Sequence, residues 1–127
     1  MAALGVAAGC GGTDNGNPSA PALQRVASLT LTRGGKGLSR PLPPRWRVTM
    51  QVRFLSARST LRVDLGSTAV MVFGGSHIWH RVQLTTRGLV VDGRHTGASS
   101  LEGSSMTMRA LHGNLNIRDL VIRRSGG

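Results

Sequence analysis

The chain is short of several residue types that binding and catalytic sites are commonly built from. Cys10 is its one cysteine in 127 residues, so an intramolecular disulfide is impossible. There is no tyrosine, and the other aromatic rings are Trp46, Trp79, Phe54 and Phe73. Platforms that stack nucleic-acid bases need several exposed rings among basic residues, so this scarcity disfavours nucleic acid as a partner. Acids are few: Asp14, Asp64, Asp92, Glu102 and Asp119. No stretch reaches the roughly 18 apolar residues that would span a bilayer. What remains is one domain's worth of chain, large enough to bury a core without metal or disulfide support.

The chain is strongly basic. Sixteen Lys and Arg face five Asp and Glu, a formal charge of +11. Fifteen of the sixteen are arginine, and Lys36 is the lysine. A GC-rich coding sequence accounts for arginine over lysine, but not for the shortage of acids. A domain this cationic attracts polyanions: nucleic acid, anionic lipid or acidic cell-wall polymer. All the basic residues lie beyond Ala22, where they meet four acids, leaving +12 on the part expected to fold.

The N-terminus has a different character. Leu4 to Gly9 are small and apolar and run into Cys10. The string Val6-Ala7-Ala8-Gly9-Cys10 resembles the lipobox of bacterial lipoproteins, in which small residues precede a cysteine that is lipidated. The stretch before it is short and carries no Lys or Arg, so 1–9 reads as a partial leader. The resemblance implies lipidation at Cys10, anchoring to a membrane and display at the outer face of a bacterial cell membrane. Residues 10–23 are rich in Gly, Asn, Pro, Ser and Thr and show no apolar period, as expected of a flexible tether. The folded domain is expected over 24–127.

From Val26 onward the apolar residues alternate. A first strand is predicted over 26–32. The segment Pro41-Leu42-Pro43-Pro44 cannot lie in a central strand, because proline has no N–H for the ladder. Trp46, Val48, Met50, Val52 and Phe54 then mark one face of a strand whose other face is Arg47, Thr49, Gln51 and Arg53. Leu61, Val63 and Leu65 alternate with Arg62 and Asp64. The run 69–73 is wholly apolar and reads as a strand buried on both faces. Val82 and Leu84 alternate with Arg81 and Gln83 over 79–86. After Arg87-Gly88, 89–91 gives a hairpin signal, and Asp92-Gly93 is a turn dipeptide that tolerates positive φ. Met106, Met108 and Ala110 mark another strand beyond a polar loop at 97–105. In the last strand Leu115 and Ile117 are in one phase and Leu120 and Ile122 in the other. That slip predicts a bulge near Arg118-Asp119. About eight short strands with no convincing helix argue for an all-β, two-sheet antiparallel sandwich or a barrel.

Three stretches from Trp46 onward resemble the concanavalin A-like lectin/glucanase superfamily, the laminin-G-type jelly roll. They are the long strand from Arg45 to Phe54, the pair Ile78-Trp79-His80-Arg81-Val82-Gln83-Leu84 and Gly88-Leu89-Val90-Val91-Asp92-Gly93-Arg94, and the closing strand from Gly113 to Ile122. The resemblance covers roughly the last 80 residues and implies an abbreviated jelly roll. Members of the superfamily include glycan-binding modules, glucanases and protein-binding modules, so the fold alone leaves function open.

Glycosidase chemistry needs two carboxyl groups flanking the scissile bond. Asp64, Asp92, Glu102 and Asp119 are isolated in sequence, and the closely spaced acidic motif of the glucanase branch is absent. No catalytic residue is assigned. Asp92, at a turn, is expected to be structural. His77 and His80 are three apart and would project to opposite faces of a strand, so no metal site is assigned. His80 is read as a packing or hydrogen-bonding residue; His95 and His112 fall in loops. Calcium would need several oxygen ligands, for which Asp64, Asp92 and Asn114 are candidates that nothing in their spacing requires.

Trp46 is in phase with the core, whereas Trp79 is out of phase with Val82 and Leu84, making it the candidate ligand-contacting ring. Arg47 and Arg53 share an outward face, with Arg62, Arg81, Arg118 and Arg123 outward on other strands. They form a cationic patch if their strands are neighbours. The candidate ligand-binding residues are therefore Trp79, Arg81, Arg47 and Arg53. The sequence reads as a non-catalytic, cofactor-free surface domain that binds a glycan or cell-envelope polymer. The alternatives are a module that docks on another envelope protein and an electrostatic binder of polyanions.

Overall fold

The computed structural model describes residues 17–66, 68–74, 77–96 and 101–124. The leader at 1–9, Cys10 and the start of the tether lie outside the described residues. Among the described residues the domain is all-β, with ten strands in two antiparallel sheets. In chain order they are β1 (Leu23–Leu31), β2 (Leu38–Pro41), β3 (Trp46–Phe54), β4 (Thr60–Asp64), β5 (Ala69–Phe73), β6 (Trp79–Thr85), β7 (Gly88–Val91), β8 (Arg94–Thr96), β9 (Ser105–Leu111) and β10 (Leu115–Arg124). The six-stranded sheet has the order β1-β10-β3-β6-β7-β8 and the four-stranded sheet the order β2-β9-β4-β5. The chain is tied down ahead of β1, because the Asn17 amide donates to the Leu42 carbonyl at 2.6 Å.

Two strands exceed the expected eight. β2 is four residues long, pairs only with β9 and ends on Pro41, so the proline sits at a sheet edge where its missing donor costs nothing. β8 is three exposed residues and carries no burial pattern to read. It continues β7 through Asp92 (φ 51°) and Gly93 (φ 84°), with Val91 facing Arg94. Positive φ at both positions gives a two-residue turn whose twist matches the strands.

The core lies between the sheets. β3 buries each alternate residue from Trp46 to Phe54, and β9 buries Met106, Met108 and Ala110 from the opposite side. Trp46 Nε1 donates to the Gly103 carbonyl at 3.2 Å, which joins the start of β3 to the segment leading into β9. Gly103 must stay glycine, since a Cβ there would collide with the Leu65 carbonyl oxygen.

The predicted bulge is present. β10 slips against β3 between Arg118 and Val121, and Asp119 takes a φ of 54°. The slip keeps Leu115, Ile117, Leu120 and Ile122 all inside.

One expectation is corrected. The run 69–73 is not buried on both faces. β5 is an edge strand that pairs only with β4, with Val70 and Val72 inward and Ala69, Met71 and Phe73 outward. Phe73 is 74% exposed. An all-apolar run has no period from which to tell an edge position from a central one.

Candidate functional site

The outward face of the six-stranded sheet is assembled by register. Along β3 the residues between the buried ones are Arg47, Thr49, Gln51 and Arg53. On one side they face Arg123, Val121, Arg118 and Asn116 of β10, and on the other Thr85, Gln83, Arg81 and Trp79 of β6. β1 extends the surface with Arg25 beside Val121, Ser28 beside Arg118 and Thr30 beside Asn116. Arg25, Arg47, Arg53, Arg81, Arg118 and Arg123 therefore share one face. The register puts Trp79, Arg81, Arg47 and Arg53 on one face, and Arg118 and Arg123 join them. Arg62 does not: it lies on β4 in the other sheet, where its Nε and Nη2 bind Asp64 at 3.1 Å.

Trp79 is half-buried. The Arg118 guanidinium lies 4.0 Å from the centroid of its ring, and that of Arg53 lies 5.2 Å away. The first distance is a cation–π stack, so one face of the ring is already occupied. The Arg118 Nε–H is also donated to Gln51 Oε1 at 2.7 Å, which fixes the guanidinium in place. Hollows lie on either side of this Trp79–Arg118 ridge. The larger, about 670 Å³, is lined by Gln51, Arg81, Gln83, Val90 and Asp92 as well as the ridge. The smaller, about 320 Å³, is lined by Ser28, Thr30, Asn116 and the ridge. Amides and hydroxyls thus alternate with guanidinium groups along the surface.

Counter-charge is sparse here. Among the described residues the carboxylate contacts are the Arg62–Asp64 ion pair and the His80–Asp92 hydrogen bond, and neither involves the guanidinium of any of the six face arginines. Asp92 lines the larger hollow, but both its oxygens are engaged. Oδ2 meets His80 Nδ1 at 2.7 Å, and Oδ1 accepts the Arg81 amide at 2.9 Å. The His80 hydrogen bond first, and the Arg81 amide second, hold the Asp92 carboxyl below its ordinary range against desolvation, and the nearby Arg81 charge adds to the lowering. Asp119 sits at the bulge, in a separate hollow with Arg25.

His80 is on the opposite face of β6 from Trp79. Its ring centroid lies 5.8 Å from that of Phe54, at the rim of the core. Asp92 and His80 therefore clamp the β7–β8 turn onto β6. His77 Nδ1 lies 3.1 Å from the Phe54 carbonyl. The three candidate calcium ligands stand in separate bonds: Asp64 with Arg62, Asp92 with His80, and Asn114 Oδ1 accepting the Arg33 amide at 2.8 Å. Among the described residues no three His, Cys, Asp or Glu side chains cluster.

Sequence reasoning passed over Arg118 and Gln51 as contact residues. Alternation gives their outward direction, but their meeting depends on β10 lying beside β3. The stack on Trp79 joins β10 to β6 across β3 and leaves no trace in sequence spacing. Comparison with known proteins gives no match, either to a family model or to a curated protein at a significant level.

Proposed function

We propose that this chain is a non-catalytic binding module for a glycan or cell-envelope polymer, held at the outer face of a bacterial membrane by a lipid on Cys10. The observation that carries the reading is the ridge of Trp79 and Arg118 between two hollows lined by Gln51, Gln83, Asn116, Thr30 and Ser28. Amides and hydroxyls next to a ring supply the directional and apolar contacts that polyhydroxylated chains need. The three stretches that resemble the concanavalin A-like superfamily fall on β3, β6–β8 and β10, which are contiguous in the six-stranded sheet. That contiguity supports the jelly-roll reading. The test is binding of the full chain to purified bacterial cell-wall polysaccharide. Binding should be displaced by soluble wall oligosaccharide and weakened at least tenfold by Trp79→Ala without loss of fold. Binding that vanishes with salt and survives Trp79→Ala would leave only a cationic surface and refute the reading.

A second reading rests on a different observation. Met71 and Phe73 stand exposed on the outward face of edge strand β5, an apolar surface suited to docking on an envelope protein.

A further inference from the structure

We propose that the polymer bound on the six-stranded face is acidic, a polyhydroxylated chain with an oxyanion repeated along it, lying across the strands so that it occupies both hollows. This inference rests on the binding reading given above. Arg25, Arg47, Arg53, Arg81, Arg118 and Arg123 share the face, and among the described residues none has a carboxylate partner. Two carboxylates lie near them, Asp92 close to Arg81 and Asp119 beside Arg25, so the six guanidiniums keep an excess of positive charge, which an oxyanion-bearing ligand offsets. The guanidinium fork fits carboxylate or phosphate oxygens in bidentate fashion.

Placement adds direction. Arg81 lines the larger hollow, and Arg118 lines both. Arg118, Gln51 and Arg81 are consecutive cross-strand neighbours on β10, β3 and β6. Neighbouring strands are about 4.8 Å apart. The two guanidinium stems therefore start roughly 10 Å apart, with an amide between them to bind hydroxyls. The pattern cation, amide, cation suits anionic groups separated by neutral hydroxylated units. The face also bears a single indole ring, one side of which Arg118 covers. The register places one further ring on this face, His95, two strands over and four residues along from Trp79, roughly 17 Å away, too far for successive bases of a nucleic acid to stack on both.

The test is the affinity of the full chain for polygalacturonate, for the same polymer fully methyl-esterified, for poly(glycerol phosphate) and for oligo(dT). Polygalacturonate or poly(glycerol phosphate) is expected to bind at least tenfold more tightly than the methyl ester. The stronger of the two identifies the oxyanion as carboxylate or phosphate. Arg81→Gln should weaken the charged polymer about tenfold and the ester little, since a hydrogen bond to an ion is worth more than one to a neutral group. Arg109→Gln, on the other sheet, should change neither. Circular dichroism and the melting temperature should show each variant folded. Equal affinity for ester and free acid would overturn this inference and leave the binding reading intact. Oligo(dT) bound as tightly as the acidic polymers would also overturn it. Failure of every glycan to bind, with wall polysaccharide failing too, would overturn the binding reading itself.

Discussion

Removing Arg118 from Trp79 should expose a measurable coupling between them. The guanidinium lies 4.0 Å from the ring centroid and also hydrogen-bonds Gln51. Arg118→Ala loses both interactions, so its cost alone says little about the stack. In a double-mutant cycle with Trp79→Ala the Gln51 bond is lost in both arms and cancels, leaving the pair energy. At an exposed site that energy is about 0.5–1 kcal/mol. Arg53, 5.2 Å from the same ring, can take the vacated place and mask part of it. The cycle is therefore best run in an Arg53→Gln background. Urea unfolding at low ionic strength supplies the free energies, provided two-state behaviour holds. Arg47 is the internal control. It lies six residues from Arg53 along β3, and Arg53 pairs with Trp79. The separation is roughly 20 Å, so Arg47→Ala with Trp79→Ala should be additive within about 0.5 kcal/mol. An Arg118–Trp79 coupling no larger than the Arg47 control would refute the stack as an energetic contact. The ridge would then be held by sheet packing alone.

Two further outcomes follow from the clamp and the bulge. Asp92 is held below its ordinary carboxyl value of 3.8, so the stability it contributes is present above that value and is lost as pH falls through its lower folded value. Asp92→Asn should be less stable than the natural chain near neutrality in urea unfolding. The gap should narrow below about pH 3.8 as the unfolded carboxyl and then the folded one take up protons. A gap unchanged down to pH 2 would mean that the charge is irrelevant. At the bulge, Asp119→Gly should leave stability nearly unchanged, whereas Asp119→Val should lose about 1–2 kcal/mol, because a β-branched residue resists φ near +54°. Equal thermal unfolding of the two variants would refute backbone strain as the cause.

The strands legible in the sequence are those with one face in the core. β3 alternates buried and half-buried residues over nine positions, and its bounds are read directly from that alternation. The bulge in β10 was equally plain, since the apolar residues change phase at Arg118-Asp119. β2 and β8 left no such mark, because four and three residues at sheet margins bury too little to impose a period. β5 misled for the opposite reason, being apolar on the face it exposes. The site was half legible. Alternation sends Arg47, Arg53, Arg81, Arg118 and Arg123 outward, yet it also sends Arg62 outward, and only strand order separates them. The stack of Arg118 on Trp79 depends on two strands meeting on either side of a third, and no local pattern encodes that.

The pairing of β1 with β10 has a mechanical consequence. Leu23 faces Arg123, and the Arg124 amide donates to the Ala22 carbonyl, so β1 begins at the corner where β10 ends. Tension applied between those two points would peel β1 from β10 one hydrogen bond at a time, like a zipper, instead of shearing the whole ladder at once. The domain is thus weak to pulling between Ala22 and Arg124. Tension between the Ala22 entry and a polymer lying across the face would instead be shared among several strands.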